Sequence, residues 1–388
     1  MIRTLAFSNY RSVQDLVMPL DNLNLVTGPN GSGKSNIYKA LRLLAQTAKG
    51  GGISALAKEG GLDSTYWAGP EKISKAMREG VVKVEGNHHK KPKRLKLGFA
   101  SDDFSYSVSL GVTPPVPYPS AFNLDPEIKR ESIWQGLIYR SASALVERKE
   151  AMVKVRNGRQ WQVTSQHLPL YDSIFTQIAD PVQSPEVILL REFIKNWRFY
   201  DHFRTDSDAP ARIPQLGTRT MVLSHDGSDL AAAIQTIIEV GDEEALNESI
   251  EEAFPGSTLK IQVSEDGHFS LLFYQHGLLR PLTGKELSDG TLRFLLWIAA
   301  LLTPRPPSLM VINEPETSLH PELLPALANL IIKASKTTQV WVVSHAQPLI
   351  NALKNETQCN SIHLKKQFGQ TEIIGQDLLT KPTWYWPS

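Results

Sequence analysis

The sequence predicts an α/β protein with a parallel-sheet core, flanking helices and a β-rich middle. Three observations carry this. A glycine-rich loop, Gly28-Pro29-Asn30-Gly31-Ser32-Gly33-Lys34-Ser35, stands between a short strand-like run and a stretch with helical spacing. From Ser288 to Leu353 helix and strand patterns alternate, as parallel strands joined by crossover helices require. Between Val81 and Val163 much of the chain alternates apolar and polar residues in strand fashion.

In order, Arg3 to Phe7 reads as a strand and Ser8 to Ser12 as a turn. Leu23-Asn24-Leu25-Val26-Thr27 is a second strand. The helix that follows Lys34 runs to about Lys49 and stops at Gly50-Gly51-Gly52. Residues 53 to 80 read as irregular or helical. Strands follow from Val81 to Val112, with turns near Gly86-Asn87 and Ser101-Asp102-Asp103. Thr113 to Pro119 holds four prolines and reads as a stiff linker. Ile138 to Val163 gives two or three strands, broken at Asn157-Gly158. Helices are expected at Pro185 to Trp197, Asp229 to Glu239 and Glu243 to Phe254, and strands at Ser257 to Val263 and Phe269 to Tyr274. There is no internal repeat and no heptad run long enough for a coiled coil.

The bulk properties exclude more than they assign. The chain has 388 residues, 41% of them hydrophobic, enough for a sizeable core and for two lobes. Lys plus Arg number 41 against 40 Asp plus Glu, so any nucleic-acid site must be a local patch. The one cysteine, Cys359, excludes an internal disulfide and a cysteine zinc cluster, and fits a reducing compartment. The first residues lack a long apolar signal core, and the longest apolar stretch, Phe294 to Leu302, is too short to span a bilayer. The expectation is a cytoplasmic protein with no membrane partner.

The glycine-rich loop has a mechanism. Its glycines let backbone N–H groups close around a triphosphate, and the N-terminus of the next helix adds partial positive charge. Lys34 is expected to reach the β- and γ-phosphates and the Ser35 hydroxyl to hold Mg²⁺. Gly28 through Ser35, with Asn36 behind them, form the expected ATP cradle. The bland alternative is a glycine-rich turn that binds nothing.

Far downstream, Pro307 to Ile312 is an apolar run ending in Asn313-Glu314-Pro315-Glu316. A buried parallel strand that delivers a carboxylate to a phosphate site looks like this. Leu287-Ser288-Asp289-Gly290-Thr291 precedes it. Thr317-Ser318-Leu319-His320-Pro321 follows, and Val340 to His345 lies one helix and strand further on.

This ordered set resembles the ATP-binding-cassette type of ATPase. It is most similar to the RecF-like and structural-maintenance-of-chromosomes (SMC) branch, including stand-alone bacterial AAA ATPases. The resemblance covers about the first 50 residues and residues 285 to 350 well, and the middle only loosely. It implies a P-loop NTPase fold with an ABC-type ATPase head, in which a mixed β lobe joins a parallel-sheet core. Residues 1–50 and 285–388 would form the core and 51–284 an inserted lobe. By the same resemblance Leu287 to Thr291 is the signature loop, Ile312 to Glu316 the Walker B strand, Ser318 to Pro321 the D-loop and His345 the switch histidine. Phe7 to Ser12 is similar to the family's N-F-R-S element near the nucleotide, which puts Arg11 in the cofactor set.

The resemblance also implies a head-to-tail homodimer on ATP, each nucleotide held between one copy's phosphate loop and the other's Ser288 and Gly290. Ser288 followed by Gly290 can present hydroxyl and N–H donors to a γ-phosphate, although Ser-Asp-Gly-Thr is also good helix-cap chemistry. Glu314 is the expected catalytic carboxylate, orienting the attacking water. His345 would act on the γ-phosphate side, or simply cap a buried strand. Asn313 stands where the family has aspartate. It can accept a hydrogen bond from metal-bound water but adds no charge, which predicts weak Mg²⁺ affinity or slow hydrolysis. No residue transfers to the family's Q-loop glutamine.

The function expected is an ATP-driven dimer switch acting on DNA or a DNA-bound protein, in repair or in defence against foreign DNA. The rival is a regulatory ATP-binding module with negligible turnover. A nuclease with a metal-binding carboxylate domain after the ATPase is not expected, since 43 residues follow His345. His88 to Lys96 is the densest basic run, either a phosphate contact for DNA or RNA or a solvated hairpin tip. Asp242, Glu243 and Glu244 are expected at a helix start, where acids favour the helix dipole.

Overall fold

A computed structural model describes residues 1–70, 94–113, 122, 125–377 and 379–387. The expected strand segment 81–93, its turn at Gly86-Asn87, the linker from 114 and most of the basic run lie outside the described residues. The chain forms two compact units, one of residues 1–21, 27–196 and 362–388, the other of 22–26 and 197–361. These boundaries fall elsewhere than the expected cuts at 50/51 and 284/285. The reason is sheet pairing, because the first strands of the chain join the strands of the middle.

The first unit is built on an antiparallel sheet. Its strands are β1 (Ile2–Tyr10), β2 (Val13–Pro19), β4 (Leu95–Ser101), β5 (Phe104–Val112), β6 (Pro126–Gln135), β7 (Ala144–Lys149), β8 (Met152–Asn157) and β9 (Gln160–Ser165), in the spatial order β2-β1-β4-β5-β6-β7-β8-β9; β3 (Leu23–Thr27) begins in the other unit. β1 runs past the expected Phe7 to Tyr10, so the turn shrinks to Arg11-Ser12, with Asn9 at φ 60° and Arg11 at φ 49°. β2 and β6 were not anticipated. The breaks at Asp102-Asp103 and at Gly158 fall where expected. Helix α1 (Lys34–Ala48) buries Ile37, Leu41 and Leu44 and packs on β1 and β4, whose Leu5, Leu97 and Phe99 are fully buried. Two short helices follow, α2 (Gly52–Lys58) and α3 (Gly61–Thr65), then α4 (Ile174–Gln177) and α5 (Pro185–Lys195).

A buried ion pair fixes the far half of this sheet. Arg148 Nη1 meets Glu131 Oε2 at 2.8 Å with both side chains fully buried. Glu131 also accepts from Tyr106 OH at 2.6 Å, Ser173 Oγ at 2.5 Å and the Ile174 amide at 3.0 Å, and Arg148 donates to the carbonyls of Glu150 and Pro169. A buried pair persists only when its remaining donors and acceptors are satisfied in this way.

The second unit holds the parallel core, in the order β10 (Arg198–Tyr200), β15 (Leu309–Asn313), β16 (Gln339–Val343), β3. β10 was not anticipated; the expected helix to Trp197 ends at Lys195, and the chain enters the sheet at once. The registers Asn313↔Val343 and Val343↔Val26 put the C-terminal ends of β15, β16 and β3 at one edge. A smaller antiparallel sheet of β11 (Gln215–Leu216), β12 (Thr258–Val263) and β13 (His268–Tyr274) carries β14 (Leu282–Thr283). Helices α6 (Leu230–Val240), α7 (Glu243–Ala253), α8 (Asp289–Leu301), α9 (Leu324–Ser335) and α10 (Gln347–Lys354) complete the unit. Asp242 caps α7 by accepting from the Ala245 amide at 2.9 Å, as the acidic cluster predicted. α8 is almost wholly buried and packs Trp297 edge-on against Phe203 and Tyr200. β17 (Cys359–Gln367) then leads into the first unit, where it pairs with β18 (Gln370–Ile373).

Candidate functional site

The phosphate loop leaves β3 and enters α1 within the first unit. Gly28, Gly31 and Gly33 take φ of 150°, 79° and 105°, which side chains rarely adopt. Crowding adds to this at two of them. A Cβ on Gly28 would lie 2.5 Å from the Leu364 carbonyl oxygen, and one on Gly33 would lie 2.0 Å from Thr371 Oγ1. No side chain caps α1. Lys34 is 8% exposed, and its ammonium donates to the carbonyls of Gly28 at 2.6 Å and Pro29 at 3.2 Å. Ser32 Oγ is buried and finds no hydrogen-bond partner among the described residues. A glycine cradle, an uncapped helix start, a lysine folded over the loop and an orphaned hydroxyl fit a phosphate group. Ser35, Pro29, Asn30 and Gly31 are exposed.

A network that sequence reasoning missed holds the loop from behind. Asn36 Nδ2 donates to Ser12 Oγ at 2.7 Å, Ser12 Oγ shares a proton with Thr371 Oγ1 at 2.7 Å, and Thr371 Oγ1 donates to the Ser32 carbonyl at 3.0 Å. Thr371 sits on β18, over 330 residues downstream, and nothing local marks it. Asn36 is thus placed as part of the loop's scaffold. Arg11 is turned to Glu59, with Nη2 at 2.9 Å and Nε at 3.2 Å from Oε2, and the Arg11 amide donates to the Thr65 carbonyl at 2.6 Å.

In the second unit the parallel register gathers the acids and the histidine. Glu314 takes φ 48° as the chain leaves β15, and its amide donates to the Val343 carbonyl at 2.8 Å. A non-glycine residue in that region is strained and is held there by its surroundings. Glu314 stands 43% exposed, and its Oε1 lies 3.7 Å from His345 Nδ1. Asn313, half-exposed, ends β15 beside it.

Glu316, to which the sequence assigned no role, organises this group. Its side chain is 6% exposed, and Oε1 accepts from Ser344 Oγ at 2.8 Å and from the amides of His345 at 2.8 Å and Ala346 at 3.1 Å. His345 Nδ1 lies 3.3 Å from the same oxygen. An acid three residues beyond the apolar strand β15, with a Ser-His pair directly after the next strand, was the available signal.

The expected signature segment is also held by buried arginines. Ser288 caps α8, its Oγ accepting from the Thr291 amide at 3.1 Å. Arg212, 7% exposed, donates to the carbonyls of Gly284 at 3.0 Å and Leu287 at 2.6 Å and pairs with Asp289 at 2.6 Å. Arg293 donates to the Thr317 carbonyl at 2.5 Å and the Phe203 carbonyl at 3.0 Å, and burial pushes its pKa below the usual guanidinium value. A Cβ on Gly290 would lie 3.5 Å from the Ser318 carbonyl oxygen, so the expected signature loop and D-loop are neighbours in this unit. Among the described residues no three His, Cys, Asp or Glu side chains converge as metal ligands. No described helix is long and apolar enough to cross a membrane.

Comparison with known proteins gives the family and the fold. The profile of the family described as "AAA domain, putative AbiEii toxin, Type IV TA system" matches residues 23–351. No curated protein matches the chain. Among solved structures, an SMC head bound to the C-terminal winged-helix domain of ScpA is similar at 13% identity and a TM-score of 0.51, over 97% of this chain and 98% of that one. The SMC head of Pyrococcus furiosus, bound to the C-terminal domain of ScpA, gives 13% identity and a TM-score of 0.47 over 96% and 95%. The SMC head domain from Thermotoga maritima gives 13% and 0.44 over 97% and 99%. With its match running from β3 through α10, the chain belongs to that AAA family and has the fold of an ABC-type, SMC-head-like ATPase domain.

Proposed function

We propose that this protein binds Mg·ATP on its phosphate loop, hydrolyses it slowly, and uses the nucleotide to close two copies head-to-tail. The observation that carries this is the loop itself, where glycine geometry, an uncapped helix start and the orphaned Ser32 hydroxyl leave donors facing an anion. Lys34 exchanges its loop carbonyls for the β- and γ-phosphates. Ser35 would hold the magnesium ion and Asn313 would accept from water in its shell; bound there, the ion would neutralise charge building on the phosphates. Glu314 orients the attacking water, while Glu316 keeps His345 aimed beside it. Ser288 and Gly290 of a second copy close the γ-phosphate side. Arg11 joins the cofactor set only after leaving Glu59. The work done is on DNA or a DNA-bound protein, in repair or in defence against foreign DNA. The SMC head that shares this fold carries a partner protein, which supports a protein client here.

The neutral Asn313 favours a second reading, a regulatory module with negligible turnover. Phosphate release separates the two. Magnesium-dependent release that Glu314→Gln abolishes supports the ATPase, and release at background level in the parent supports the module. Light scattering with ATP, ADP or no nucleotide tests the switch; one unchanging mass rejects it.

A further inference from the structure

The outer face of the first unit's sheet carries a row that the nucleotide reading leaves unused. Cross-strand pairing runs Lys96↔Ser109 from β4 to β5 and Ser109↔Arg130 from β5 to β6. Direct partners share a face, so a hydroxyl sits between two cations, with strands about 4.8 Å apart. Lys149 is the next residue of the row on β7. Arg94 and Ser107 stand two residues from Lys96 and Ser109 and therefore on the same face. Together Arg94, Lys96, Ser107, Ser109, Arg130 and Trp386 line a cavity of about 130 Å³. That is well above the roughly 10–15 Å³ that one water needs.

Three features point to a ligand. The cavity gathers three cations and, among its described lining side chains, no carboxylate. Ser109 Oγ is buried with no hydrogen-bond partner among the described residues, in a residue 7% exposed, so the site holds an unused polar group. Lys96 is half-buried with its ammonium 5.6 Å from the Trp386 ring centroid, and its pKa is lowered by burial and by Arg94 and Arg130 against the pull of Asp15. A bound anion relieves that crowding.

We infer that this cavity binds a backbone phosphate of a single-stranded nucleic acid. The flanking segment favours a single strand. Trp384 packs over Gly98 and edge-on against Trp386, and Tyr385 between them is 59% exposed. An exposed ring beside a phosphate site stacks an unpaired base, which a duplex does not offer. The inference rests on the nucleic-acid half of the proposed client and is independent of ATP turnover.

The test is fluorescence anisotropy with a labelled 20-nucleotide oligo(dT), run without nucleotide so that a failed ATPase reading leaves it intact. Lys96→Gln with Arg130→Gln should weaken binding about tenfold or more and lower the salt slope by about one for each cation lost. The charge-keeping pair Lys96→Arg with Arg130→Lys should retain binding, which separates lost charge from lost fold. Inorganic phosphate should compete only weakly, and a blunt duplex of equal length should bind less well. Equal affinity of parent and the glutamine pair overturns the inference. So does phosphate competing as strongly as unlabelled oligo(dT), which would make this a free-anion site, or a preference for duplex.

Discussion

Two helix starts in this molecule were read from sequence as anion sites, and they are built differently. α1 begins at Gly33 with no side chain on its first N–H groups, and its lysine rests on carbonyls two turns of loop away. α8 begins at Ser288, whose hydroxyl already accepts from the Thr291 amide and exchanges a hydrogen bond with the Thr291 hydroxyl at 2.8 Å. An uncapped start keeps its donors for a ligand. A capped start is satisfied alone and must share or release its cap. On the proposed function, the first serves as a primary site and the second as a site completed by something brought to it. That division matches a nucleotide held by one copy and sensed by another.

The sharpest way to break the comparison is Lys34→Ala. It removes charge-assisted bonds to two phosphates and should lower Mg·ATP affinity on the order of a hundredfold or more by calorimetry. Ser288→Ala in the same titration should leave the monomer's affinity unchanged; a matching loss would erase the difference between the two starts. Glu314→Gln should cut phosphate release on the order of a hundredfold, keep ATP binding and accumulate the ATP-bound dimer. Arg212→Met leaves the Gly284 and Leu287 carbonyls without their donor. It should cost about 2–4 kcal/mol in urea melts and loosen the capped start. Ser288→Ala itself should cost only about 1 kcal/mol. Gly290→Ala is the finest probe. Its Cβ would make ordinary contact with the Ser318 carbonyl, so the melting curve should hardly move. The ATP-dependent mass in light scattering should nevertheless fall, and an unchanged dimer would take Gly290 out of the contact.

What the sequence disclosed follows the range of each signal. The phosphate loop, α1, α7 and the β15–β16 core were legible because turn chemistry, caps and apolar runs act locally. β10 and β11 have three and two residues, too short for a period to register. β6 was hidden by charged residues such as Glu131, whose burial makes sense only once Arg148 is in place. At the site, Lys34 and Glu314 could be named from pattern. Thr371 and Glu316 could not, since each acts on groups that only the folded sheets bring near. Arg11 was legible as a motif residue, but its partner Glu59 was not.

The placement of β3 shapes how this chain must be made. Leu23 pairs with Val340, so the parallel partner β16 is synthesised more than 300 residues after β3. At ribosomal speeds of about 5–20 residues per second, roughly a quarter of a minute to a minute separates the two segments. Throughout that interval Leu23, Leu25 and Val26, all fully or nearly fully buried in the finished protein, have no sheet to enter. Such high-contact-order pairing is slow and leaves an apolar edge exposed to other nascent chains. Lower temperature or chaperone supply during expression should therefore change the yield of this protein more than Lys34→Ala does.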